Sequence, residues 1–157
     1  MKSHARVVVI GGGVVGASVL YHLTKLGWTD VVLVEKHELT SGSTWHAAAS
    51  YHTYNSDANV SRLQKYTIDL YREIERISGQ SCGIHDTGGI VVAANETVLD
   101  NLHVMHSRGR YLGLEMEIIS PTEAQKLNPL LDPKHFIAAL WRRDGGHVDN
   151  NGVTQAY

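Results

Sequence analysis

The sequence predicts an α/β fold that opens with a βαβ unit over residues 5–35. Three features carry this prediction. Residues 5–10 form a short β-branched run, which is typical of a strand buried on both faces. A glycine-rich turn then leads into an apolar-periodic helix over residues 14–26, which Gly27 is placed to end. Residues 31–34 form a second apolar run of strand length, so a right-handed crossover between two parallel strands is expected.

The chain after this unit divides into an irregular part and a regular part. Residues 36–57 are rich in Ser, Thr, His, Gly and Asn, whereas residues 58–157 are predicted to be helical and mixed α/β. A long amphipathic helix carries apolar residues from Val60 to Ile77 at spacings of three and four, and we expect this stripe to pack in the core. The opposite, charged side is expected to face solvent and comprises Arg62, Lys65, Asp69 and Glu73.

The later elements are marked by capping residues. Strands are predicted at residues 88–94, 116–119 and 136–141, and a helix at residues 96–112 with Asn95 as its N-cap. Ser120-Pro121-Thr122-Glu123 combines a capping box with a proline at the first helical position, so a helix begins there. A further helix start at residues 149–151 lies close to the last residue, and we therefore expect the chain to be a fragment of a longer protein.

The composition excludes several functional classes. The 157 residues carry a formal net charge of −2 with scattered basic residues, which argues against a nucleic-acid partner. Cys82 is the single cysteine, so no internal disulfide or cysteine metal cage can form, and we expect an inert thiol. His103 and His106 are three positions apart on a predicted helix, a spacing that could place two metal ligands on one face. With ten histidines in the chain this spacing is attributed to chance, and no metal site is expected. The sequence lacks a leader and an apolar stretch of membrane-spanning length, so a cytoplasmic location is expected.

Residues 11–16, Gly-Gly-Gly-Val-Val-Gly, satisfy the dinucleotide pattern G-x-G-x-x-G between a predicted strand and helix. Gly11 permits the tight turn, Gly13 lets the backbone approach a pyrophosphate, and Gly16 lets helix and strand pack closely. The helix start offers N–H groups and a partial positive charge to the phosphates. Glu35, 19 positions after the last glycine, can accept hydrogen bonds from ribose hydroxyls and would repel a 2′-phosphate, which disfavours NADP. The pattern leaves FAD and NAD open.

The segment over residues 35–48, EKHELTSGSTWHAA, resembles the FAD proteins of the D-amino-acid-oxidase class. Within that class it is most similar to the dimethylglycine and sarcosine dehydrogenases, and further similarity is seen at residues 88–90, 119–123 and 144–149. The resemblance implies a Rossmann-like FAD-binding domain of the glutathione-reductase-like type. It also implies that residues 1–157 are an incomplete, N-terminal part of that domain with the start of a substrate-domain insertion. We call residues 36–57 the flavin segment.

The resemblance also implies roles for individual residues. The histidine that matches His46 carries the flavin covalently in this family, through the 8α-methyl carbon, and the segment around it wraps the ring with N–H groups and hydroxyls. This sequence departs from the family at Ala49, where glycine is usual, so alanine would be strained if the position needs a positive φ. The expected cofactor-binding residues are Gly11, Gly13, Val14, Val15, Gly16, Glu35, Lys36, Gly42, Ser43, Thr44, His46 and Ala47.

The implied activity is FAD-dependent oxidation of an N-methylated amino acid of the dimethylglycine or sarcosine type. Hydride would pass from the N-methyl carbon to flavin N5, and electrons would then pass to an electron-transfer flavoprotein or to oxygen. The expected partners are a small amine substrate and, in a missing C-terminal part, tetrahydrofolate; no membrane is expected. The residues supply no catalytic acid or base. The alternative is a non-catalytic or truncated flavoprotein-like module with a regulatory role or none, and a related regulatory lineage lacks the histidine that matches His46.

Overall fold

The computed structural model describes residues 3–157. The strands are β1 (Val7–Ile10), β2 (Val31–Val34), β3 (Ser50–His52), β4 (Gly89–Ala93), β5 (Met116–Ile119), β6 (Ala138–Arg142) and β7 (Gly145–His147). The helices are α1 (Val14–Lys25), α2 (Ala58–Ser78), α3 (Glu96–Tyr111), α4 (Pro121–Leu127) and α5 (Asn150–Ala156), with a 3₁₀ turn at Pro133–His135. Two compact units form: unit 1 holds the described residues up to Ala49 with Asp69–Ile84 and His147–Tyr157, and unit 2 holds Ser50–Ile68 and His85–Gly146.

Unit 1 contains the βαβ arrangement. Strands β1 and β2 pair in parallel, from Val7 opposite Val31 to Ile10 opposite Val34, with α1 between them in the chain. Helix α1 ends at Lys25 and is followed by the C-cap residue Leu26, whose N–H donates to the carbonyl of His22. Gly27 follows with a φ of +86°, a left-handed conformation that glycine adopts at little cost. The predicted βαβ unit is confirmed, and so is the α/β fold.

The expected burial of β1 on both faces is wrong. Val8 and Ile10 are 50% and 85% exposed, whereas Val7 and Val9 are half-buried. Side chains alternate between the faces of a strand, and among the described residues this sheet has two strands only. One set of β-branched side chains is therefore covered by unit 1 and the other is not, although the sequence carries apolar residues in both sets.

The predicted apolar stripe of α2 is confirmed in its centre, where Leu70 and Ile74 are buried, and wrong at its ends. Leu63 and Ile77 are 63% and 60% exposed, whereas Ile68, Leu70 and Ile74 are buried. The boundary between the two units falls inside this helix, after Ile68.

The core of unit 1 lies around the second half of α2. The buried cluster comprises Leu70, Ile74, Cys82, Val153 and Ala156. Helix α5, although seven residues long, contributes Val153 and Ala156 to this core. Tertiary packing of this kind stabilises a helix that is too short to persist alone.

Unit 2 is built on an antiparallel sheet in the order β4-β6-β5. Its main buried cluster comprises Ala93, Leu102, Met116 and Leu140, from the three strands and α3. The predicted caps are confirmed: the Asn95 side chain accepts from the Val98 N–H, and Ser120 and Glu123 form the capping box. Strand β6 begins two residues later than predicted, because a 3₁₀ turn precedes it. Strands β3 and β7 pair with each other and were not predicted, since each has three residues.

Candidate functional site

The glycine turn between β1 and α1 has the geometry that the dinucleotide pattern predicts. Gly11 has a φ of +107°, a conformation that strains any residue with a Cβ. A Cβ on Gly16 would lie 1.9 Å from the carbonyl oxygen of Gly11, so the first turn of α1 packs directly on the glycine turn. No atom lies within 4 Å of the Cβ position of Gly11, which leaves the outer side of the turn open.

The N-terminus of α1 is capped from the flavin segment. Gly13 is the N-cap residue and has no side chain to accept a hydrogen bond. Instead, Thr44 Oγ1 accepts from the Val14 N–H at 3.0 Å. A Cβ on Gly13 would lie 2.8 Å from the same oxygen, so glycine is needed for this approach. The hydroxyl of Thr44 therefore lies at the positive end of α1, where N–H groups have no partner within the helix.

Glu35 lies at the end of β2 and points to the glycine turn. One carboxylate oxygen accepts from the Gly12 N–H at 2.6 Å, and the other accepts from the His37 N–H at 2.9 Å. These backbone donors, Gly12 above all, hold the pKa of Glu35 below its usual value. Each carboxylate oxygen keeps a further acceptor position, so the group can still accept from ribose hydroxyls.

The first part of the flavin segment is a succession of turns around His46. The Nδ1 atom of His46 lies 2.9 Å from the carbonyl oxygen of Gly42. A carbonyl only accepts, so Nδ1 donates in this bond, and in the neutral ring the lone pair lies on Nε2. The ring is exposed, as is the side chain of Trp45. His46 is therefore held in the tautomer whose Nε2 is nucleophilic.

Helix α5 anchors the same segment, which sequence reasoning missed. The Asn150 side-chain amide donates to the carbonyl of Ala47 at 2.6 Å, and the Thr40 hydroxyl bonds to the side chain of Asn151. A cavity of about 710 Å³ lies beside these contacts, lined by Glu38, Leu39, Thr40, Ser41, Trp45, Asn151 and Gln155. The pair of asparagines was recognised as a helix start, but no local signal indicated what the two side chains would bind.

The remaining predicted cofactor residues lie on the surface of unit 1. Val15, Lys36, Gly42 and Ser43 are exposed. The bonds described above bring together Gly12, Val14, Glu35 and Thr44. They also join Ala47 to Asn150 and His46 to Gly42.

Two further predictions concern the thiol of Cys82 and metal binding. Cys82 is fully buried, its thiol donates to the Tyr71 carbonyl at 3.5 Å, and burial raises its pKa to about 11, as expected for an inert thiol. Over residues 3–157, no set of three His, Cys, Asp or Glu side chains is arranged to hold a metal ion. Within the same range, no helix has the length and apolar character needed to cross a bilayer.

Ala49, the position where this sequence departs from the family, has a φ of +59°. Strain is expected at this position if its φ is positive. The φ is positive, and this conformation strains alanine by about 1–2 kcal/mol. A hydrogen bond from the Val148 N–H to the Ala49 carbonyl, at 3.1 Å, stabilises this backbone conformation. Thr40 is a second such residue, with a φ of +72° and a buried side chain.

Replacing Ala49 with glycine is expected to stabilise the protein. Glycine removes the strain at this φ, which stabilises the folded state, and its greater conformational entropy stabilises the unfolded state by less. The free energy of unfolding should therefore rise by about 0.5 kcal/mol. The free energy of unfolding in urea measures this gain. Ala48→Gly is the matched control, since φ at Ala48 is not positive, and it should destabilise slightly. Equal effects of the two substitutions would contradict the prediction.

Comparison with known proteins gives a consistent result. A family model described as FAD dependent oxidoreductase matches residues 6–157. The chain is 39% identical over 155 residues to dimethylglycine dehydrogenase of Mus musculus, covering 99% of this chain and 18% of that protein. It is 37% identical to human sarcosine dehydrogenase, covering 98% of this chain and 17% of that protein. It is 34% identical to the mouse pyruvate dehydrogenase phosphatase regulatory subunit, covering 99% of this chain and 18% of that protein.

A solved structure shares the fold over nearly the whole chain. L-Proline dehydrogenase from P. horikoshii superposes with a TM-score of 0.90 at 27% identity, covering 99% of this chain and 41% of the other. The chain thus spans under a fifth of the length of the curated relatives above, and less than half of this structural relative.

Proposed function

Because the chain belongs to the family of FAD-dependent oxidoreductases, we propose that the protein oxidises the CH–NH bond of an N-methylated amino acid, of the dimethylglycine or sarcosine type. The observation that carries the proposal is the joint presence of an open glycine turn, the Glu35 carboxylate beside it, and an exposed His46 with a free Nε2. The substrate class is supported by the identity of 39% to dimethylglycine dehydrogenase.

The residues around the glycine turn fit the ADP half of FAD. A pyrophosphate needs close approach to backbone N–H groups, and the turn is open at Gly11 and free of a side chain at Gly13. The carboxylate of Glu35 is fixed by two backbone donors and would orient the ribose through its remaining acceptor positions. The Thr44 hydroxyl, at the α1 N-terminus, would donate its proton to a phosphate oxygen. When bound, FAD supplies the chemistry by accepting a hydride at N5.

We propose that His46 is the point of covalent flavin attachment. The Gly42 carbonyl accepts the Nδ1 proton, which orients the ring and raises the electron density at Nε2. When flavin is bound, Nε2 of His46 would be the atom that holds its 8α-methyl carbon. Anchoring of the segment through Asn150 and Ala47 would keep the ring of His46 in place for that bond.

We also propose the binding partners that the resemblance to the dimethylglycine and sarcosine dehydrogenases implies. They are a small amine substrate, an electron-transfer flavoprotein or oxygen as acceptor, and tetrahydrofolate in a region outside these residues. The curated relatives named above are described as mitochondrial, and a cytoplasmic location stays a prediction for this protein.

A regulatory, non-catalytic function is the second candidate. The observation that favours it is the identity of 34% to a phosphatase regulatory subunit, over 99% of the chain. Retention of His46 favours the enzyme, since in the related regulatory lineage this histidine is missing.

Anaerobic mixing of the full-length, flavin-loaded protein with dimethylglycine or sarcosine distinguishes the two candidates. We expect either compound to bleach the yellow flavin absorbance, because each carries an N-methyl C–H bond, and glycine, the control without that group, to leave the flavin oxidised. Failure of every N-methylated amino acid tested would contradict the enzymatic proposal and favour the regulatory one.

A further inference from the structure

A cavity of about 440 Å³ lies in unit 2, beside the edge strand β5. The C-terminal half of α3, strand β5 and the end of β6 line it. Its titratable lining side chains are His106, Arg110, Glu115, Glu117 and Arg143. Cavities that bind small molecules commonly measure roughly 300–1,000 Å³, so this one is large enough for a ligand. We call it the edge cavity.

Arg143, directly after β6, is held in place at the wall of the edge cavity. Its Nη1 donates to Glu115 Oε2 at 3.3 Å, and its guanidinium carbon lies 5.1 Å from the ring centroid of Trp141. Its backbone N–H donates to the Glu115 carbonyl at 3.2 Å. A guanidinium has five N–H donors, so most of them stay available to a ligand. Because the group is already oriented, a ligand would lose little entropy in ordering it.

Glu117 and Arg110 line the same cavity without a partner of their own. Glu117 lies directly opposite Trp141 in the ladder of β5 and β6, on the same face as Glu115. Both Glu117 and Arg110 are exposed, and over residues 3–157 neither side chain forms a hydrogen bond or an ion pair. The edge cavity therefore combines a carboxylate and a guanidinium that are each free to bind a group of opposite charge.

This charge pattern fits a ligand that carries both charges. The guanidinium groups of Arg110 and Arg143 match a carboxylate, whereas the carboxylate of Glu117 matches an ammonium. A simple anion would meet the like charge of Glu117, and a simple amine would meet the two arginines. Diagonal cross-strand neighbours such as Glu117 and Arg143 are about 7–8 Å apart, which an amino acid with a hydrogen bond of about 3 Å at each end can span.

We propose that the edge cavity is a binding site for a free α-amino acid. Its carboxylate would accept from Arg143 and Arg110, and its ammonium would donate to Glu117. Leu114 and Met116, which also line the cavity, would contact an apolar side chain. The site uses none of the predicted cofactor-binding residues, so it is additional to the proposed function and does not depend on it.

Isothermal titration of the full-length, flavin-loaded protein with three matched probes tests the site. L-Leucine carries both charges and an apolar side chain, 4-methylpentanoate lacks only the ammonium, and 3-methylbutylamine lacks only the carboxylate. We expect leucine to bind about tenfold more tightly than either truncated probe, because each of these loses one charged hydrogen-bonding group. No measurable leucine binding, or equally tight binding of a truncated probe, would overturn the proposal.

Two substitutions show whether leucine binds at the edge cavity. Glu117→Gln and Arg143→Gln are each expected to weaken leucine binding about tenfold. Both side chains are exposed, so neither substitution should change the melting temperature, which is measured alongside. Arg108→Gln, an exposed arginine of α3 that does not line the cavity, is the control and should bind leucine like the wild type.

Leucine binding that survives both substitutions would place the ligand elsewhere and overturn the proposal. The readout is the heat of binding, whereas the proposed function is tested by reduction of the flavin. Failure of one is therefore distinguishable from failure of the other.

Discussion

Replacing Gly16 with alanine is expected to unfold the dinucleotide turn and to abolish FAD binding. The new Cβ would lie 1.9 Å from the carbonyl oxygen of Gly11, far inside van der Waals contact. Both groups belong to the backbone, so no side-chain rotation can relieve the overlap, and α1 must move away from β1. We expect a loss of about 3 kcal/mol or more in the free energy of unfolding, the range of severe overpacking.

The measurement is urea unfolding of the full-length protein together with its flavin content after purification. Val19→Ala is the control, because it places alanine in the same helix at an exposed position outside the glycine turn. The control should retain both stability and flavin. A Gly16→Ala protein with normal stability and flavin content would show that α1 does not pack on the glycine turn as described.

Replacing His46 with alanine is expected to convert a covalently bound flavin into one that dissociates on denaturation. After acid precipitation of the full-length wild-type protein, the yellow colour should remain in the pellet. In His46→Ala it should pass entirely to the supernatant, because the nucleophilic Nε2 is removed. The change is all or none, and the absorbance of the two fractions measures it.

His37→Ala is the matched control for this experiment. His37 is an exposed histidine of the same segment whose backbone N–H, rather than its ring, binds Glu35, and the backbone bond survives the substitution. Its pellet should stay yellow. A yellow His46→Ala pellet would place the linkage on another residue, and a colourless wild-type pellet would refute covalent attachment.

Predictions from sequence were accurate where the cause is local. A glycine with positive φ follows α1, and Asn95 and Ser120 cap their helices. Each of these depends on residues within three or four positions of one another. The clear error, the burial of β1 on both faces, and the partial one, the exposed ends of the α2 stripe, concern which residues of an element are covered, and that depends on elements elsewhere in the chain.

The sequence by itself determined the βαβ unit, the family and the chemical type of the cofactor site, because glycine spacing, capping residues and a characteristic segment are encoded locally. The tertiary structure decided how the site is held together. Thr44 caps a helix 30 positions earlier, and Asn150 fixes Ala47 from 103 positions away. A hydrogen bond depends on distance in space, and no periodicity or spacing specifies which distant donor will meet which acceptor once the core has formed.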